Sequence, residues 1–176
     1  MEKLKKSRLW LMCGTPGSGK STWIQEHKNY FAEDCKVISR DAIRFSLLTR
    51  EDEFYFSKEK EVWKEYVKQA EESLSTNIDT ILDATHLSPG SRSKICIALG
   101  AKLKDVEVNV IVVNTSLDIA LAQNEQRKGT RAYVPRGAIR RMSAQFIMPT
   151  IEEGFDHIYI YTKEGDKVKY QILDKE

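Results

Sequence analysis

The run Gly14-Thr15-Pro16-Gly17-Ser18-Gly19-Lys20-Ser21, with Thr22 after it, constrains this chain more than any other feature. It fits the spacing Gly, four residues, Gly-Lys-Ser. Glycines admit backbone conformations that side chains forbid, so successive N–H groups can turn inward around anionic oxygens. A helix starting at about Lys20 would point its positive end at the same oxygens. Lys20 can then reach the β- and γ-phosphates of a nucleotide, and the Ser21 hydroxyl can sit on Mg²⁺. This chemistry requires a strand before the run, and Leu9 to Cys13 is a short apolar stretch of that kind. A plain Gly-rich turn is the competing reading, and the flanking context disfavours it. The motif implies nucleotide binding without choosing among ATPase, GTPase, kinase and switch. A guanine-reading Asn/Thr-Lys-x-Asp is missing, since Thr162-Lys163 is followed by Glu164-Gly165. ATP is therefore the expected nucleotide.

The rest of the chain reads as one domain, residues 1–176. Its 176 residues suffice for one real core and are too few for two. A hydrophobic fraction of 41% beside 31% charged residues is that of a folded globular chain. The net charge of +2 says nothing about nucleic acid, but its distribution does. Arg127 to Arg141 holds six basic residues and no acidic one, whereas Glu51 to Glu72 is rich in carboxylates, so one face is expected to meet an anion. Three cysteines without metal-ligand spacing fit reduced thiols. No stretch is long and apolar enough for a membrane span or a signal peptide, and a cytoplasmic location is expected.

Short apolar runs alternate with amphipathic segments, which predicts a parallel sheet with helices on its faces. Strands are expected at 9–13, 36–39, 78–82 and 106–113, with a terminal strand at 158–161 and a hairpin partner at 167–172. Helices are expected from about Lys20, from about Arg40, after a Ser57 cap, and from Ser88-Pro89 to Gly100. Further ones are expected from Ser116 to near Gly129 and from Pro135 with Phe146 inside.

Segments just after strand ends line the ligand crevice of an open parallel sheet. Ser39-Arg40-Asp41-Ala42-Ile43-Arg44 follows the second strand, and Asp41 and Arg44, three positions apart, share one helical face. There a carboxylate can take a proton from an attacking hydroxyl, and an arginine can hold an acceptor phosphate. The alternative is that Asp41 merely favours the first helical turn and Arg44 pairs with it. Asp83, ending the third strand, is expected to help hold Mg²⁺ with Ser21. His86 reads as structural. Thr85 and Arg92 are expected at the acceptor. Arg127-Lys128-Gly129-Thr130-Arg131 is expected to form part of a lid, about residues 127–134, whose Arg127 or Arg131 neutralises charge on the transferring oxygens.

Taken in order, these residues resemble the kinase domain of phage-type polynucleotide 5′-hydroxyl kinases. The resemblance rests on Gly14 to Trp23, Ser39-Arg40-Asp41-x-x-Arg44, Thr85-x-Leu87-x-Pro89, Arg92, Gly129-Thr130-Arg131-Ala132, Val134-Pro135 and Arg140 to Met142, and covers about residues 8 to 148. It implies an α/β, P-loop NTPase, adenylate-kinase-like three-layer fold with a central five-stranded parallel sheet, extended here by a C-terminal hairpin strand. It also implies transfer of the ATP γ-phosphate to a 5′-hydroxyl end of DNA or RNA. Asp41 would be the general base and Arg44 the contact to the acceptor's 3′-side phosphate, while Lys20, Ser21 and the Gly129 segment would serve ATP, Mg²⁺ and the transition state. Three departures stand out. Asn124 and Lys128 occupy lid positions usually held by arginine, with Tyr133 inserted; Ala84 stands where the relatives have aspartate; and the phosphatase domain often fused to such kinases is not seen, so no phosphatase activity is expected. Two alternatives remain open: a P-loop kinase of a small acceptor such as a nucleoside, and a nucleotide-sensing module without transfer.

Overall fold

Strand β1 (Arg8–Cys13) is buried on both faces, and that organises everything around it. Leu9, Leu11 and Cys13 point into one core and Trp10 and Met12 into another. A strand with no wet face must lie inside a sheet covered on both sides, as parallel sheets are. The computed structural model describes residues 6–49 and 54–176, and within them β1 is central to a six-stranded sheet of order β2-β3-β1-β4-β5-β6. Here β2 is Lys36–Ser39, β3 Thr80–Asp83, β4 Glu107–Asn114, β5 His157–Glu164 and β6 Lys167–Asp174. The first five pair in parallel, and β6 returns antiparallel to β5, as the alternating pattern predicts.

Helices α1 (Lys20–Glu26), α2 (Arg40–Leu47), α3 (Glu59–Ser75), α4 (Pro89–Leu99), α5 (Leu117–Glu125) and α6 (Arg136–Ala144) complete the layers. On one side of the sheet, Val62, Tyr66, Ala70 and Leu74 of α3 and Ile95 and Leu99 of α4 pack on Leu9 and Leu11. On the other, Trp23 and Ile24 of α1 meet Ile111 and Val113. A smaller cluster joins Leu121 of α5 to Val134, Ala138 and Ile139 at α6. Helix α4 starts as its sequence predicts. Ser88 caps the Ser91 N–H at 3.1 Å, Ser91 caps back at 3.1 Å, and Pro89 occupies the first turn.

Some boundaries differ for physical reasons. Ser57 does not cap α3, because its hydroxyl donates to the Phe54 carbonyl at 2.7 Å; Lys58 takes the cap position. Strand β3 begins at Thr80 rather than Ile78. Asn77 turns through a positive φ of 57°, and the Asp79 carboxylate accepts from the Arg8 N–H and side chain at 2.8 and 3.1 Å. Helix α5 ends at Glu125, four residues before Gly129, and α6 stops before Phe146. Among the described residues no helix is long and apolar enough to cross a membrane.

Candidate active site

Because five strands run in parallel, their C-terminal ends share one edge. Ser39 and Asp83 are level in adjacent strands, and the glycine loop leaves β1 beside them. The loop is held from below: the Gly14 N–H donates to the Thr85 carbonyl at 2.9 Å, and Ser18 N–H to Thr15 at 3.1 Å. Gly17 (φ 81°) cannot be replaced without displacement, since a Cβ there would lie 2.4 Å from the Ala120 carbonyl of α5. Among the described residues, the N–H groups of Gly17, Gly19, Lys20, Ser21 and Thr22 donate to no protein acceptor. Five unspent donors converging at a helix start, with Lys20 among them, fit the phosphates of a nucleotide. The Lys20 ammonium donates to the Thr15 carbonyl at 2.9 Å. Burial lowers its pKa, against the pull of the Asp83 and Asp41 carboxylates.

The turn after β3 supports this loop. His86, at a positive φ of 42°, donates from Nδ1 to the Met12 carbonyl at 2.6 Å and accepts from the Tyr66 hydroxyl at 3.2 Å. It is structural, as the sequence suggested. Burial pushes its pKa from 6.5 down to about 4, the bond to Met12 opposing. The unfolded chain takes up this proton near pH 6.5 and the folded one only near 4. The contribution is thus complete above pH 6.5, declines as pH falls, and is lost by about pH 4, roughly 3 kcal/mol in all. Urea unfolding across that range should show the loss in the parent and a flatter profile in His86→Asn.

Beside the loop, a crevice of about 200 Å³ is lined by Lys20, Ser21, Asp41, Arg44, Asp83 and Arg127, among others. The Ser21 hydroxyl donates to Asp83 at 2.7 Å, so a hydroxyl oxygen and a carboxylate stand together where a nucleotide's metal would lie. No group of three or more His, Cys, Asp or Glu able to hold a metal occurs among the described residues. The pair fits Mg²⁺, which keeps waters and substrate phosphates as its other ligands.

Asp41 sits in the first turn of α2, after the Ser39 cap. Arg44 Nη1 and the Tyr55 hydroxyl both donate to its Oδ1, and Oδ2 has no protein partner among the described residues. Arg44, 4% exposed, is also held by Glu59 at 2.8 Å and by the Tyr55 oxygen at 2.8 Å, with the Tyr55 ring 4.2 Å from its guanidinium carbon. Tyr55 and Glu59 were missed from sequence. No local spacing announces them, because the chain entering α3 must fold back on α2 before Tyr55 meets Asp41 and Glu59 meets Arg44.

Thr85 and Arg127 line the crevice. Arg92 does not, and its assignment to substrate is corrected. It is fully buried under α4, donating to Glu153 at 2.8 and 3.1 Å, to the His86 carbonyl at 2.9 Å and to Ile147 at 3.0 Å. A signal was present: Arg92 shares the buried helix face of Ile95 and Leu99. Arg131 is likewise diverted, donating to the Leu48 carbonyl at 2.8 Å. Asn124, where arginine was expected, is buried and brackets Val134 through both main-chain groups at 2.7 and 3.0 Å, pinning the end of the 127–134 segment to α5. Beyond Gly19 lies a second cavity of about 350 Å³, walled by Thr22, Trp23, Ile119, Gln123, Tyr161 and Lys163.

Strand order, phosphate loop and crevice together define a P-loop kinase fold. A family model described as "AAA domain" matches residues 9–149, and the chain belongs to that family. Among solved structures, it is similar to a chain of the Pnkp1/Rnl/Hen1 RNA repair complex, with TM-score 0.65 and 20% identity over 82% of this chain and 45% of that one. The chain thus spans less than half the length of the RNA-repair chains it matches. It is also similar to Chaetomium thermophilum Kti12 in complex with ADP-AlF3, with TM-score 0.65 and 17% identity over 90% and 91% of the two chains. A sugar kinase from Janibacter sp. HTCC2649 gives TM-score 0.62 and 13% identity over 90% and 86%. These likenesses show the fold. No curated protein matches the chain significantly.

Proposed function

We propose that the protein transfers the γ-phosphoryl group of ATP to the 5′-hydroxyl end of DNA or RNA. The observation that carries the transfer is Asp41, whose Oδ2 has no protein partner among the described residues, lining the same crevice as Lys20 and the Ser21–Asp83 pair. The acceptor oxygen forms the new bond to phosphorus, ADP leaves, and the hydroxyl proton passes to Oδ2. The loop N–H groups and Lys20 hold the phosphates, Arg127 faces the transferring oxygens, and Thr85 borders the acceptor. Mg²⁺ held by Ser21 and Asp83 would neutralise charge on the β- and γ-oxygens. The cavity between Trp23 and Tyr161 offers an aromatic-walled place for adenine. Three free cysteines suit a reducing, cytoplasmic setting.

The polynucleotide acceptor is supported by the ordered motif set and by the fold shared with a chain of the RNA repair complex. A small acceptor is the second reading. One observation favours it: Arg44, the residue expected to grip the acceptor phosphate, is already held by Asp41, Tyr55 and Glu59. Labelled transfer from ATP with Mg²⁺ to matched acceptors decides between them. Label should appear on 5′-hydroxyl oligonucleotides and fall as salt rises, the slope counting phosphate contacts. Label confined to nucleosides or other small acceptors would overturn the polynucleotide reading.

A further inference from the structure

We propose that Phe56 is a stacking platform for the 5′-terminal nucleobase of the acceptor strand, an inference that rests on the polynucleotide reading above. Asp41 Oδ2, without a protein partner among the described residues, marks where the acceptor hydroxyl must come, so the sugar and base carried by that hydroxyl occupy the adjoining wall. Phe56 lines the crevice there, next to Tyr55 and Arg44. Burying a phenylalanine is favourable, yet Phe56 remains 43% exposed and Phe54, two residues before it, 72% exposed. Of the two, Phe56 is the residue that lines the charged crevice, with part of its surface uncovered.

The Phe56 ring is nonetheless held in place. It meets the Tyr55 ring edge-on, with centroids 4.7 Å apart and planes at 83°. The Arg44 guanidinium carbon lies 5.7 Å from its centroid. Tyr55 in turn donates its hydroxyl to Asp41 Oδ1. The proton acceptor and the exposed ring therefore belong to one fixed unit. A base stacked on Phe56 would hold the terminal nucleotide in register, so that its 5′-oxygen falls at Oδ2. Every nucleobase has a π-face, and stacking tolerates any sequence. That property suits an enzyme acting on ends rather than on a particular base.

The test is a steady-state comparison of the parent protein, Phe56→Ala and Phe56→Trp. The acceptors are 5′-hydroxyl oligonucleotides whose terminal nucleotide is either normal or abasic, with KM for ATP measured alongside. Stacking on one aromatic ring is worth roughly 5- to 150-fold in affinity. Phe56→Ala should raise the acceptor KM within that range for the normal end, leave the ATP KM in place, and lose the distinction between normal and abasic ends. Phe56→Trp should restore it. A parent that treats normal and abasic ends alike overturns the platform while leaving polynucleotide transfer standing. A Phe56→Ala loss that is equally large on abasic ends also overturns it, since the ring would then serve only to support Arg44. A parent that phosphorylates small acceptors and no oligonucleotide refutes the polynucleotide reading and the platform with it.

Discussion

Asp41→Asn should lower kcat for phosphoryl transfer by about 10²- to 10⁴-fold, the usual contribution of a positioned general base, while ATP binding persists. The substitution is informative because of how the carboxylate is held. Among the described residues its two hydrogen bonds, from Arg44 and from Tyr55, both fall on Oδ1. Asparagine can keep its carbonyl oxygen there and so retain the clamp. It puts an amide nitrogen where Oδ2 stood, and that group accepts no proton. None of the loop N–H donors that face the nucleotide depends on Asp41. Equilibrium ATP binding and single-turnover transfer, measured on the same preparation, separate the two effects. Transfer that survives in Asp41→Asn would show that another group takes the proton. A joint loss of ATP binding and transfer would show that Asp41 serves chiefly to support the loop.

How much of this site could be read beforehand follows from how local each feature is. The glycine loop, Asp41 in the first turn of α2, and Asp83 at the end of β3 each depend on a few consecutive residues, and the structure brings all three to one crevice. The central parallel strands β1, β3 and β4 follow from the same local logic, since a short run apolar on both faces needs cover on both sides. Chain reversals were harder. Tyr55 reaches Asp41, and Glu59 reaches Arg44, only because the segment entering α3 and the helix itself pack across α2, and no period in the sequence encodes that meeting. The lid region misleads for a related reason. Arg127 and Arg131 look interchangeable along the chain, yet one lines the crevice and the other is bound to the Leu48 carbonyl, while Asn124 is buried against Val134. Which way a long side chain turns is set by what packs beside it.

Arg92 is the sharpest case, and its replacement should affect stability rather than catalysis. Arg92→Met removes a fully buried guanidinium that joins α4, the His86 turn, the Ile147 carbonyl and Glu153. Methionine fills much of the volume but leaves Glu153 without its cation and two carbonyls without their donors. Breaking one partner of a buried ion pair costs about 3–5 kcal/mol. In a chain of this length that corresponds to a fall in Tm on the order of 10 °C. Glu153 also accepts from the Thr150 N–H at 2.9 Å, so part of its charge stays compensated and the lower end of the range is expected. Because the His86 turn carries the Thr85 carbonyl that anchors Gly14, the loosening will reach the phosphate loop as the protein nears its transition, and kinetics belong well below the Tm. There, kcat and the acceptor KM per folded molecule should match the parent. An Arg92→Met protein of unchanged Tm with a raised acceptor KM would reverse the assignment and return Arg92 to the substrate. Arg92→Lys sharpens the comparison: it keeps the charge but cannot span four acceptors, so it should recover only part of the lost stability.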